Sequence, residues 1–108
     1  VVGKYAEAAL SDFSCSKLYI GVDGIDLDFG ITTTDMMEAS LNRVMMQTAQ
    51  KTIVLADSSK FGRRGFCKIA DMEEIDQIIT DSKIPTTTAK RIEEMGIILT
   101  IADEYHHH

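Results

Sequence analysis

With 108 residues, 44% of them apolar, the sequence can build one hydrophobic core and one domain, and a second independent domain is excluded. Seventeen acidic against 11 basic residues give a formal charge of -6, which sets the segment against phosphate backbones and disfavours direct nucleic-acid binding. No apolar run approaches the roughly 18 to 20 residues of a membrane span and no basic-then-apolar leader opens the chain, a pattern that suits a cytoplasmic protein away from membranes.

Taken in chain order, residues 3–13 put Ala6, Ala9, Leu10 and Phe13 on one helical face and Lys4, Glu7 and Asp12 on the other, which predicts an amphipathic helix. Residues 18–22 form a short apolar run suited to a strand buried on both faces, ended by Asp23-Gly24. Residues 25–34, rich in Asp, Gly and Thr, read as a loop leaving the C-terminal end of that strand. Asp35 with Glu38 three residues on resembles a capping arrangement, and Met37, Leu41, Val44, Met45 and Thr48 recur on one face of a helix reaching about residue 50. Residues 53–56 are a second buried strand that opens into Asp57-Ser58-Ser59-Lys60-Phe61-Gly62. Beyond it the pattern predicts an edge strand over 66–69, a brief helix over 71–75 and a strand over 77–80. Pro85 suits the first turn of a helix that carries Ala89, Ile92 and Met95 inward and stops at Gly96, and residues 97–101 form a last strand. Apolar strands alternating with helices predict an α/β fold with a parallel sheet covered on both faces.

Polar groups at the C-terminal ends of parallel strands converge on one edge of the sheet, where open α/β folds bind ligands. Asp23-Gly24-Ile25-Asp26 offers two carboxylates that can accept hydrogen bonds from hydroxyls, although Asp23-Gly24 also serves as a plain turn. Lys60, after two serines, can meet a phosphate as a point charge or stand as an ordinary surface lysine. Thr32-Thr33-Thr34 leads into a helix whose first N–H groups can face an anion, or simply begin the helix. The six methionines read as adaptable packing, and Arg63 and Arg64 as a solvated basic patch. Cys15 and Cys67 read as reduced, buried or half-buried thiols. His106, His107 and His108 read as a tag remnant within a tail over 104–108, which leaves no histidine for a catalytic triad, and no zinc spacing or phosphate loop occurs.

Together, Tyr19-Ile20-Gly21-Val22-Asp23-Gly24-Ile25-Asp26, Phe29-Gly30-Ile31-Thr32-Thr33, Glu38-Ala39, Val54-Leu55-Ala56-Asp57-Ser58-Ser59-Lys60-Phe61-Gly62 and Ile78-Ile79-Thr80-Asp81 resemble the effector domain of DeoR-type bacterial repressors. The resemblance spans about residues 2–102 and corresponds to the C-terminal part of that domain, so residues 1–103 are expected to be a fragment of a larger Rossmann-like sensor of the sugar-phosphate isomerase type. It places a DNA-binding winged helix-turn-helix, and a glycine/threonine phosphate loop, upstream of Val1; the absence of an initiator methionine fits that expectation. The family in turn resembles ribose-5-phosphate isomerase. Asp23-Gly24-Ile25-Asp26 looks like that enzyme's paired-aspartate motif, Glu38 sits where its glutamate falls, and Asp57 to Lys60 is similar to its Asp-Glu-Ser-Lys stretch. Where the enzyme supplies a lysine before a run of glycines, this chain has Gly30-Ile31-Thr32-Thr33-Thr34, so a group to stabilise an enediolate is missing.

The resemblance therefore implies a non-catalytic sensor with no cofactor and no metal. Asp23, Gly24 and Asp26 would hold the hydroxyls of a phosphorylated sugar, Glu38 would line the pocket, Lys60 would lie near the phosphate, and Thr32 and Thr33 would complete the loop. Binding would shift the arrangement of a homo-oligomer and release operator DNA from the upstream domain. An isomerase or deaminase of the same fold, or an oligomerisation module without a ligand, are the rival readings.

Overall fold

The computed structural model describes residues 15–102. The helix expected over residues 3–13, the side chain of Cys15 and the terminal histidines lie outside the described residues. The elements run β1 (Cys15–Gly21), β2 (Gly24–Asp26), β3 (Gly30–Thr33), α1 (Met36–Thr48), β4 (Ala49–Leu55), β5 (Cys67–Ala70), β6 (Gln77–Thr80), α2 (Thr86–Glu94) and β7 (Ile98–Ile101). Short 3-10 turns occupy Ser58–Lys60 and Met72–Glu74.

The apolar runs make a parallel sheet in the order β1-β4-β6-β7. Its register aligns Ile20, Val54, Ile78 and Leu99 across the four strands. Ile20, Val54 and Ile78 are buried in one cluster with Ala39 of α1 and Ile92 of α2. The strand order follows chain order in a single direction, and parallel crossovers are right-handed, so both helices come to the same face. The next row of the register, through Tyr19, Ile53, Gln77 and Ile98, belongs to the other face, where Tyr19 and Ile98 are 54% and 58% exposed. The parallel α/β layer expected from the sequence is present. Its expected cover by helices on both faces is not seen among the described residues.

The polar stretch after β1 departs from the expected loop. It folds into a second, antiparallel sheet in the order β2-β3-β5. Ile25 pairs with Ile31 at its centre, and both are fully buried. Thr32 and Thr33 are buried as well, so two residues of loop-like composition are interior strand positions. β5 runs along β3 and closes the sheet on that side.

The helices depart in their packed faces. α1 buries Ala39 and Asn42, with Met46 partly buried against the core, whereas Met37 and Leu41 are exposed. Asp35 caps α1 through Met37 N–H at 2.9 Å, while Glu38 turns away from the cap. In α2 Ile92 is fully buried but Met95 is exposed, and Pro85 stands at the cap position just before the helix. Gly96 ends that helix at φ +84°, the left-handed backbone that glycine adopts without penalty.

Candidate functional site

β1 ends two residues before Asp23, whose N–H donates to Thr32 O at 2.9 Å and so fastens the strand end to the hairpin. The Asp23 carboxylate then accepts from Thr33 Oγ1 at 3.0 Å and from the Thr34 N–H at 3.0 Å. The Thr33 hydroxyl also lies 2.8 Å from Glu38 Oε1, on the first turn of α1. A threonine hydroxyl has one hydrogen to donate, so two carboxylates compete for it. Whichever loses retains an unmet acceptor for a hydroxyl brought by a ligand. The Thr33 hydroxyl and the Thr34 amide hold the Asp23 carboxyl below the ordinary carboxylate range, and the Lys60 charge adds to this.

Lys60 arrives on the 3-10 turn at the end of β4. Asp57 shapes that turn by accepting from both the Ser59 N–H and the Ser59 hydroxyl. The Lys60 ammonium lies 3.9 Å from Asp57 Oδ2, an open ion pair of small worth that leaves the charge available to another anion. Asp81, at the end of β6, accepts from the Ser58 N–H at 2.9 Å and from the Lys83 N–H at 2.9 Å. Those two amides hold the Asp81 carboxyl low. Beside this turn the C-terminal ends of β4 and β6 flank a cavity of about 430 Å³, lined in part by Asp57, Thr80, Asp81 and Lys83. Of the stretches singled out in the sequence, Asp57 and Asp81 line it, but none of Asp23, Gly24, Asp26, Thr32, Thr33, Glu38 and Lys60 does.

The residues singled out therefore separate into two groups. Asp23, Thr33, Thr34 and Glu38 are joined by hydrogen bonds, and Lys60 is linked to them only through the effect of its charge on Asp23. Asp26, Gly24 and Thr32 serve the scaffold. Asp26 accepts from the Asp28 and Phe29 amides and pairs with Arg64 Nε at 3.0 Å, and Arg64 first, then the Asp28 amide, holds its carboxyl low. Arg64 also sits 4.6 Å over the Phe29 ring, so this arginine is a fitted part of the hairpin and not a freely solvated charge. Thr32 Oγ1 accepts from the Gly65 N–H at 2.6 Å and lies 3.4 Å from Gly24 O. Gly24 has no room for a side chain: a Cβ there would stand 2.5 Å from Arg63 O and 2.7 Å from Thr32 Oγ1. Its role is the close approach of the basic loop, since its backbone is ordinary strand. Of the two readings of the α1 entry, an anion site or a plain helix start, the hydrogen bonds found belong to the second: just before the helix the Thr34 N–H donates to Asp23, and within it the Met37 N–H donates to Asp35.

Sequence reading took Arg64 as a solvated charge, Thr34 only as part of a helix entry and Asp81 only as part of the family pattern, and gave none of them a partner. Asp81 was visible as a strand end beside another strand end. Arg64 had no such cue, because its partner lies 38 residues away.

The depressed carboxyls give a pH prediction. Asp23, Asp26, Asp57 and Asp81 all titrate below their ordinary values in the folded chain, the first cause for Asp57 being the Ser59 hydroxyl. The unfolded chain then binds more protons, so stability rises with pH in that range. Their contribution is in place above about pH 4 and is lost as pH falls through the folded values. Urea midpoints should fall between about pH 5 and pH 3, and a flat profile there would contradict these hydrogen bonds.

A family profile described as the DeoR C terminal sensor domain matches residues 1–82, from the start of the chain through β6 and Asp81. The chain belongs to this family. Among curated DeoR-type relatives it is 39% identical over 102 residues to a putative aga operon transcriptional repressor of Escherichia coli O157:H7, covering 94% of this chain and 38% of that protein. It is 35% identical over 103 residues to the HTH-type transcriptional regulator GlpR of Haloferax volcanii, covering 95% and 40%. Against the HTH-type transcriptional repressor GlcR of Bacillus subtilis it is 34% identical over 95 residues, covering 88% and 36%. The chain thus spans about two fifths of the relatives it matches. Every residue of the Asp23, Thr33, Glu38 and Lys60 cluster lies inside the sensor-domain match. No helix among the described residues is long and apolar enough to cross a membrane.

Proposed function

We propose that the domain senses a phosphorylated sugar for a transcriptional regulator and binds it without turnover. The observation that carries this reading is the competition of Asp23 and Glu38 for one Thr33 hydroxyl, with the Lys60 ammonium close enough to lower Asp23. Sugar hydroxyls are donors that such carboxylates accept, and a phosphate is an anion that Lys60 attracts. The position at the C-terminal edge of a parallel sheet is where open α/β folds take ligands. Asp26 supports binding without chemistry, because Arg64 and two turn amides engage the second carboxylate of the isomerase-like pair. The relatives named as regulators of the aga operon and as transcriptional repressors favour the same role. In an oligomer, the sugar would favour one arrangement of sensor domains to the extent that it binds the two with different affinity, and operator release would follow from that difference.

The test is a thermal-shift panel of pentose, hexose, hexitol and ketose phosphates on the full-length protein, with the unphosphorylated sugars beside them. A ligand at about 100 times its Kd stabilises by roughly 2.7 kcal/mol, a readily measured rise in midpoint. The expected result is a rise confined to one or two phosphorylated compounds, with affinity at least about tenfold weaker in Lys60→Ala. Equal rises with the unphosphorylated sugars, or none with any phosphate, would overturn the reading.

A further inference from the structure

We propose that Asp81 is a positioning residue for Lys60: from the end of β6 it holds the Ser58–Lys60 turn so that the ammonium meets the phosphate group of the ligand. The proposal rests on the sugar-phosphate reading above. β4 and β6 are neighbours in the parallel sheet, and the Ala56 N–H still donates to Ile79 O at 3.1 Å as β4 ends. Past that bond no further backbone hydrogen bond joins the two chains among the described residues. The Asp81 carboxylate bridges them again, with Oδ2 on the Ser58 N–H and Oδ1 on the Lys83 N–H.

The bonds inside the turn are local. Asp57 accepts from Ser59, and the Lys60 N–H donates to Asp57 O at 3.1 Å. These fix the shape of the turn, but they leave its direction relative to the sheet free. The Ser58 to Asp81 bond, across 23 residues of sequence, removes that freedom. On the far side of Lys60, the Gly62 N–H donates to Ile25 O at 2.8 Å and ties the chain to the hairpin. Lys60 therefore hangs between two fixed points, and Asp81 is one of them.

Charge gives the test its power. Asp81 is an anion near the place a phosphate would occupy, so deleting its charge alone strengthens phosphate binding. Deleting its hold on the turn weakens it. Asp81→Asn separates the two: the local turn keeps the amide oxygen on the Lys83 N–H, which leaves the NH2 group facing the Ser58 N–H, donor against donor. Ser58→Pro makes the complementary change, removing the N–H while the Asp81 charge stays. The first position of the turn accepts proline, and Asp57 at φ -76°, ψ 168° has the extended backbone that a residue before proline needs.

The experiment measures stabilisation of the full-length protein by inorganic phosphate against chloride at matched ionic strength. We expect Lys60→Ala to abolish it and Asp81→Asn to weaken phosphate affinity at least fivefold. The double variant should lose no more than Lys60→Ala alone, because Asp81 acts through Lys60. Ser58→Pro should weaken binding too, and it decides the matter if Asp81→Asn does not fold. Phosphate binding unchanged or tighter in Asp81→Asn, or unchanged in Ser58→Pro, with Lys60→Ala inactive, overturns the positioning role and leaves the sugar-phosphate reading standing. Unchanged binding in Lys60→Ala overturns both.

Discussion

Gly30→Ala should lower the stability of the domain by about 3 to 5 kcal/mol, combining an unfavourable backbone with a steric overlap. Gly30 opens β3 at φ +125°, a conformation that a residue with a Cβ adopts only under strain. An added Cβ would also overlap the Ala70 carbonyl oxygen, which belongs to the backbone of β5 and cannot swing aside. Either the hairpin or β5 has to move, and both carry residues that pack into the core, Ile31 from one and Ile69 from the other. Against a whole-domain stability of about 5 to 15 kcal/mol, the loss is a large fraction. Urea unfolding of the parent and the variant checks it. A loss under about 1 kcal/mol would mean that β3 and β5 do not meet at this glycine.

Thr32→Val should cost about 1 to 2 kcal/mol although the two side chains have nearly the same shape, because it takes the acceptor away from a part-buried donor, the Gly65 N–H. The hydroxyl that valine lacks accepts the Gly65 N–H at 2.6 Å, and Thr32 is fully buried, so the methyl that replaces it leaves the hairpin without that tie. The change releases the chain between Phe61 and Gly65, which otherwise lies along the hairpin through Ile25 and Phe61. Faster amide exchange at Gly65 together with a lowered unfolding midpoint is the expected pair of results. Weaker ligand response with unchanged stability would instead mean that Thr32 touches the ligand.

The parts of the fold that could be read from the sequence are those where composition and environment agree. Ile53 to Leu55 and Gln77 to Thr80 are apolar enough to announce strands, and the structure places strands there. The hairpin was illegible for the opposite reason. Its strands are three and four residues long, too short to show alternation, and its buried positions include Thr32 and Thr33, whose hydroxyls are satisfied by Gly65, 33 residues on, and by the Asp23 and Glu38 carboxylates. The same blindness affected the site. Asp23 and Asp26 look alike in the sequence, yet Arg64 arrives from 38 residues away to claim only the second. On α1, the methionines and Leu41 suggested a buried face, but the helix packs through Ala39 and Asn42. Periodicity identifies a helix more reliably than it identifies which of two mixed faces goes inward.

The anchoring of the Ser58–Lys60 turn from β6 has a consequence in time. During synthesis the chain emerges from its N-terminus at about 5 to 20 residues per second. Asp23, Thr33, Glu38 and Lys60 are all made before Asp81, and β4 lacks its second neighbour until β6 follows it. A nascent polypeptide thus carries all four of these side chains for an interval in which the Ser58 N–H has no Asp81 carboxylate to meet. On the proposed reading, the lysine would be aimed only once the strand that ends at Asp81 has been added, with α2 and β7 still to follow it.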